Sequence, residues 1–315
     1  MLARIANNLF WMGRYIERAE HLARFINVNY FSSLDAPDKL SRDRQFVLHS
    51  ICEMVGGIEC DKKNLVEEEV LFNAVLNPEN PNSILNCVKY ARENANTSRD
   101  LVSSELYEAL NKFYHFVMNY PKDYFKQRGL HDFTSHVTNQ TSVLKGKMRS
   151  TLLHDDIYSI IKVGINMERA TQVTRIIKAK YEDVEQTVEK KKKNPMKNSF
   201  EWITLLKCAG AYDLNRRLYK KTPTQLTALE FLIVNPHCTK SVIYSLHQMS
   251  KYINRLDPAK VSSKESAAFL INKMHCDYKY KTVEEVEGDV KGFINQTLST
   301  LVQIGTKLEN EYFYL

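Results

Sequence analysis

Leu2-Ala-Arg-Ile-Ala-Asn-Asn-Leu-Phe-Trp-Met-Gly-Arg-Tyr-Ile-Glu-Arg-Ala-Glu-His-Leu-Ala-Arg-Phe-Ile-Asn27 is the stretch that decides the fold. Leu2, Ile5, Leu9, Met12, Ile16, Ala19, Ala23 and Ile26 recur at gaps of three and four, which makes one apolar stripe on an α-helix. A second sector of the same helix collects Asn7, Trp11, Arg14, Arg18 and Phe25, with Glu17 beside it, three residues from Arg14 and four from His21. Aromatic rings mixed with guanidinium groups suit neither a pure core nor a solvated surface. The pattern therefore predicts a helix contacted on both sides, with its arginines in a partly dry, aromatic-lined setting where a planar fork pairs with carboxylates and stacks on rings.

The rest of the chain follows the same period. Val283, Val286, Val290, Phe293, Thr297, Leu301, Ile304 and Leu308 form a stripe that opens on a capping box, Thr282 with Glu285. Asn80-Pro81 reads as a cap and first turn of another helix, running toward Ala95 and onward to Asn119, before Pro121 breaks it. Only 10 glycines and 8 prolines interrupt the sequence, and no run alternates as a strand does. The fold class is all-α.

An internal repeat sets the organisation. Gly13-Arg-Tyr-Ile-Glu-Arg-Ala-Glu-His-Leu-Ala-Arg-Phe-Ile26 aligns with Gly164-Ile-Asn-Met-Glu-Arg-Ala-Thr-Gln-Val-Thr-Arg-Ile-Ile177 at an offset of 151. Val75-Leu-Asn-Pro78 and Ser83-Ile84 align with Ile233-Val-Asn-Pro236 and Ser241-Val242 at an offset of 158. Two matches in the same order predict two duplicated halves, 1–150 and 151–315, joined as one helical bundle with pseudo-two-fold symmetry. The lysine run 190–193, inside 182–199, reads as a solvated excursion.

Composition narrows the chemistry. Apolar residues are 43% and charged residues 26% of the chain, which supports a buried core. Net charge is +7, but acids are interleaved with the basic residues outside the lysine run and no aromatic stacking platform accompanies them, which argues against nucleic acid. Cys52, Cys60, Cys87, Cys208, Cys238 and Cys276 lie far apart without metal-ligand spacing, so buried reduced thiols in a cytoplasmic protein are expected. No signal peptide or membrane-length apolar stretch is read, and no metal or cofactor motif. Neither a glycine-rich phosphate loop nor a Gly-x-Ser-x-Gly or Cys/His nucleophile pattern is present.

Two groups remain as candidate ligand or polar-cluster residues. The first is Asn7, Trp11, Arg14, Glu17 and Arg18 with their counterparts Glu168 and Arg169. Internal ion pairs that fix how the halves dock explain these residues, as does a cleft for a carboxylate or phosphate, or a Glu acting as a base. The second group is Arg92, Glu93 and Asn94 in Tyr90-Ala-Arg-Glu-Asn94, which spread around a helix so that one of them meets a packed surface, or else form an exposed Arg92–Asn96 contact.

At these residues the sequence resembles the bacterial alpha-E domain family, over essentially the whole chain. Leu2 to Arg24 resembles the family's opening signature, and Asn80-Pro-Asn-Ser-Ile84 with Ala91-Arg-Glu-Asn-Ala95 its second block. Gly146 to Arg169, and Asn235-Pro236 with Lys240-Ser-Val242, resemble the later blocks. Ile165 departs from the repeated Gly-Arg, and His154 and Lys240 stand in place of arginines. The resemblance implies companionship with circularly permuted ATP-grasp-type ligases and transglutaminase-like proteins, and hence a role in making or modifying peptides. The leading expectation is a non-catalytic helical partner or substrate-presenting module in an ATP-dependent peptide ligase system. The alternatives are an enzyme acting on a peptide or amide through Glu17 with Arg14 and Arg18, and a purely structural oligomer-forming protein.

Overall fold

The computed structural model describes residues 2–33, 44–55, 64–125, 129–190, 195–256, 258 and 263–314, with side chains for all of these except 183–190 and 195–198. Among them every regular element is helical and no strand occurs. The first half of the chain holds α1 (Ala3–Ser32), α2 (Arg44–Val55), α3 (Glu67–Val75), α4 (Ile84–Thr97), α5 (Ser104–Met118), the short α6 (Lys122–Tyr124) and α7 (Leu130–Thr151). The second holds α8 (Asp156–Lys190), α9 (Pro195–Cys208), α10 (Tyr212–Tyr219), α11 (Gln225–Ile233), α12 (Val242–Leu256), α13 (Ala267–Lys279), α14 (Val283–Gly288) and α15 (Val290–Leu308), and a π-helical turn (Glu309–Phe313) follows.

The centre of the molecule is the pair α1 and α8. Phe10 to Gly13 meets Ile161 to Ile165, and Glu17 and Arg18 meet Glu168 and Arg169, so the two helices run side by side in the same sense. Glycine makes that approach close enough. A Cβ on Gly13 would stand 2.6 Å from the Ile161 carbonyl oxygen, and one on Gly164 would stand 2.2 Å from that of Phe10. Around this pair, α4 and α7 pack on α1, α12 and α15 pack on α8, and α9 touches both. α5 bridges α4 and α7, and α13 lies against α12 and α15.

Enclosure explains the unusual composition of α1. Leu9, Met12, Ile16, Ala19, Ala23 and Ile26 are buried as the stripe requires, but so are Phe10, Glu17, Glu20, His21, Leu22 and Phe25. The helix is covered on both sides. Leu2, at the start of the stripe, is instead exposed, and Phe25 belongs to the core rather than to the polar sector.

Three local expectations need correction. The helix read from Asn80 to Asn119 is two helices. α4 ends at Thr97, a 3-10 turn occupies Arg99–Leu101, and Ser103 caps α5 by accepting from the Leu106 N–H at 3.2 Å. Ser and Asp side chains offer the backbone local partners that compete with the helix ladder, and the 98–103 segment is rich in them. Asn80 is not the cap of α4, since Ser83 accepts from the Asn86 N–H at 3.2 Å. Asn80 fixes the preceding turn instead, donating to the Asn73 carbonyl at 3.1 Å and accepting from the Asn82 N–H at 3.0 Å. The C-terminal stripe is also divided. Its capping box at Thr282 and Glu285 is present, but Asp289 leaves helical geometry and recaps the chain through Gly292 N–H at 2.9 Å. Both pieces keep their apolar residues inward, so the periodicity survives the break.

The segment 182–199 is helical to Lys190 and again from Pro195, and Lys191 to Lys193 lie outside the described residues. Cys52, Cys87, Cys208 and Cys238 are buried free thiols, whereas Cys276 is exposed and Cys60 lies outside the described residues.

Candidate functional site

The close approach of α1 and α8 places each Glu-Arg pair across from the other, and the partners are exchanged. Arg18 reaches Glu168 with Nε at 2.6 Å from Oε1 and Nη2 at 3.1 Å from Oε2, a two-pronged charged hydrogen bond. Arg169 Nε reaches Glu17 Oε1 at 2.6 Å. Both carboxylates are fully buried, while the Arg18 and Arg169 side chains keep 16% and 12% of their exposure. The guanidiniums therefore stand between the carboxylates and solvent. Each also touches the turn before a flanking helix: Arg18 Nη1 donates to Asn82 Oδ1 at 3.4 Å, and Arg169 Nη1 donates to the Thr239 carbonyl at 3.3 Å.

The two carboxylates are otherwise differently surrounded. Glu168 takes a further cation, Arg14, with Nε at 2.8 Å from Oε2, and accepts from Gln172 Nε2 at 2.7 Å. Arg14 lies over the Trp11 ring at 4.4 Å, Arg18 over Tyr15 at 5.7 Å, and Tyr15 continues to Tyr90. Asn7 is half-buried near the start of the same helix. Glu17 instead faces Lys145 of α7 and His21, whose Nε2 lies 3.3 Å from Oε1. Glu20, one turn further, is bound by Arg24 at 2.8 Å, by Lys240 at 3.2 Å and by Lys145.

Two points revise the sequence reading. Arg14 and Arg18 do not assist Glu17; both turn across the interface to Glu168. The group Arg92, Glu93 and Asn94 joins neither cluster. Arg92 Nε donates to Asn111 Oδ1 at 3.0 Å and stacks on Tyr114 between α4 and α5, Glu93 is exposed, and Asn94 is half-buried. Asn96 accepts from Tyr107 rather than from Arg92. Sequence reasoning also missed Lys145, Glu20 and Arg24 as members of the cluster. The Glu20–Arg24 spacing of four along one helix was a usable signal. Nothing local marks Lys145, which comes from another helix 125 residues away.

Electrostatics follow from this geometry. Burial pushes the Glu168 carboxyl up, but Arg18 and Arg14 outweigh it and hold it well below the ordinary carboxylate range. Burial acts likewise on Glu17, where Arg169, Lys145 and the His21 hydrogen bond prevail in the same direction. Glu20 is also held low, burial being outweighed chiefly by Lys145. His21 is pushed down by burial, more than its hydrogen bond to Glu17 raises it. Since an ionised carboxylate only accepts, the neutral ring donates from Nε2. The buried Cys87 thiol, near Arg18, is pushed up to about 12, which removes it as a nucleophile. Among the described residues no three His, Cys, Asp or Glu side chains gather as a metal-ligand set. A cleft of about 370 Å³ lies between α13 and α15, with Lys273, Asp277 and Gln296 on its walls.

These shifts carry a pH expectation. Groups held below their unfolded values make the unfolded chain the better proton binder in acid, so stability falls as pH falls. His21 begins the decline below its ordinary 6.5, and Glu17, Glu20 and Glu168 steepen it below 4.5. Thermal melts from pH 8 to pH 3 should show a gentle slope first and a steep one after; a melting temperature flat down to pH 3.5 contradicts the ion-pair geometry.

An uncharacterised protein of Mycobacterium bovis and uncharacterised proteins of two Mycobacterium tuberculosis strains are each 21% identical to this chain over 301 residues, covering 90% of it and 33% of the relative. The chain thus spans about a third of the length of the curated relatives it matches. No solved structure matches it. A family model described as a predicted alpha-helical domain with a conserved ER motif matches residues 1–313, and the chain belongs to that family, Alpha-E.

Proposed function

We propose that this protein is a non-catalytic helical partner, or substrate-presenting module, of an ATP-dependent peptide ligase system in the cytoplasm, with an ATP-grasp-like ligase or a transglutaminase-like protein as its companion. The observation that carries this reading over catalysis by Glu17 is the state of the two glutamates. A general base works best with a pKa near the operating pH and within reach of substrate. Glu17 and Glu168 are fully buried, spent on each other's arginines and held low. That is the chemistry of a clasp. The companionship itself rests on the family resemblance, and the alignment to a third of longer relatives is consistent with a module that works joined to other parts.

The same reading includes an internal duplication, with halves 1–150 and 151–315 related by an approximate two-fold. It is supported by the reciprocal contacts of Gly13 with Ile161 and Gly164 with Phe10, and by the exchanged Glu-Arg pairs. Serine caps both α4 and α12, through Ser83 and Ser241.

The partner test is direct. Tagged full-length chain should recover an ATP-grasp-like ligase from the native cell, and the purified pair should bind with a Kd in the micromolar range. ATP added to the chain alone should give no heat by calorimetry. Recovery of no ligase, together with no binding of the purified pair, removes the proposal.

A further inference from the structure

The carboxylates of the second cluster are outnumbered. Glu17 and Glu20 face Arg24, Lys145, Arg169 and Lys240 at ion-pair distance. Lys162, seven residues before Arg169 and so on the same face of α8, adds a further cation and interacts with Arg169, Glu17, Lys145 and the exposed Arg149. Among the described residues no carboxylate lies within ion-pair distance of Lys162; its close neighbour is the Tyr158 ring at 5.9 Å. The residue is half-buried. Burial and the surrounding cations push it down to about 8. Lys240 is also lowered, by burial first.

Crowding half-buried cations without matching anions costs stability, because each loses water and gains a like charge. A fold that only needed to neutralise Glu17 and Glu20 has no use for Lys162. The surplus charge is also reachable: Lys145 and Lys240 keep 23% and 19% of their side-chain exposure. The neighbourhood adds hydroxyls, with Tyr158 packed edge-on to Tyr252. The first cluster differs, since Glu168 has Arg14, Arg18 and Gln172 as its partners and an aromatic wall of Trp11 and Tyr15.

We propose that Lys145, Lys162, Arg169 and Lys240, converging from α7, α8 and the turn before α12, form a receptor for an oxyanion group carrying at least two negative charges. Lysines supply compact point charges with rotatable donors, which suits both a phosphate and adjacent carboxylates of an acidic peptide. The receptor goes beyond the ligase-partner reading and does not depend on it.

The test uses the purified full chain alone, so a failure to find a ligase leaves it untouched. Inorganic phosphate and triglutamate are titrated separately by calorimetry at pH 7, against sodium chloride of matched ionic strength. Binding of either one beyond the chloride control supports the receptor, and the stronger of the two assigns a phosphate or a peptide carboxylate source. Lys162→Met should weaken that binding about tenfold, the loss of one charge contact, while melting no lower than the wild type because it breaks no ion pair. A second readout needs no variant: the Lys162 side-chain resonance should titrate near 8 in the free protein and at higher pH with ligand bound. Binding no stronger than chloride, undiminished binding by Lys162→Met, or an unmoved Lys162 titration each overturns the proposal.

Discussion

Glu168→Ala should lower the unfolding free energy by about 3–5 kcal/mol, the usual cost of removing one partner from a buried ion pair. The substitution strands Arg14 and Arg18 together, with no carboxylate between them, and deprives Gln172 of its acceptor. It also leaves a void at a fully buried position. Arg18→Ala and Arg169→Ala are milder, because each orphaned carboxylate keeps another cation, Arg14 on Glu168 and Lys145 on Glu17. These two should cost similar amounts, and each less than Glu168→Ala. Denaturant unfolding of the three single variants, with the Glu168→Ala/Arg18→Ala double variant, closes a cycle whose coupling should lie in the range of about 1–3 kcal/mol. A coupling near zero would mean that the exchanged pairs contribute no mutual stabilisation, and the clasp would lose its energetic basis.

How far the sequence revealed this arrangement depends on the scale of the question. The period of Leu9, Met12, Ile16, Ala19 and Ala23 announces a helix and names its buried stripe, because helical periodicity is a local property. The mixed sector with Trp11, Arg14 and Arg18 announces a second contacted face, which α4 and α8 supply. Helix ends were less legible. The Asn80 and Asp289 regions turned on which of several neighbouring side chains captures a free N–H, a competition between options of similar energy. Ion pairing among Glu17, Arg18, Glu168 and Arg169 was one of the readings the sequence offered, but the exchange of partners across the α1–α8 interface was not legible. Glu17 has Arg14 and His21 within sequence reach and keeps the His21 hydrogen bond, yet its charged partners, Arg169 and Lys145, come from other helices. Local spacing ranks partners on one helix and is silent about a neighbour whose approach is set elsewhere. What sets that approach is visible in the aligned segments, in the glycine four residues ahead of each Glu-Arg pair.

That glycine gives the second large effect. Alanine is ordinarily the better helix former, by about 0.5–1 kcal/mol over glycine. Gly146→Ala should show that gain, since a Cβ there meets nothing within 4 Å. Gly164→Ala should show the opposite sign. Its Cβ would lie 2.2 Å from the Phe10 carbonyl oxygen, with the Phe10 carbonyl carbon at 3.1 Å, and these are backbone atoms that no rotamer change can move. Relief requires α1 and α8 to separate by about 1 Å, to ordinary contact distance near 3.2 Å or more. Overpacking of this kind costs about 1–3 kcal/mol in a core that can adjust, and occasionally more. Here the same separation also stretches the Arg18–Glu168 and Arg169–Glu17 pairs, now 2.6 Å each, so the upper end of that range, about 3 kcal/mol, is expected. Gly13→Ala meets the Ile161 oxygen at 2.6 Å and should fall between the two. Chemical unfolding of the three variants orders them directly. If Gly164→Ala proves as stable as the wild type, the two helices are not in backbone contact, and the reach of each glutamate to the opposite arginine needs another explanation.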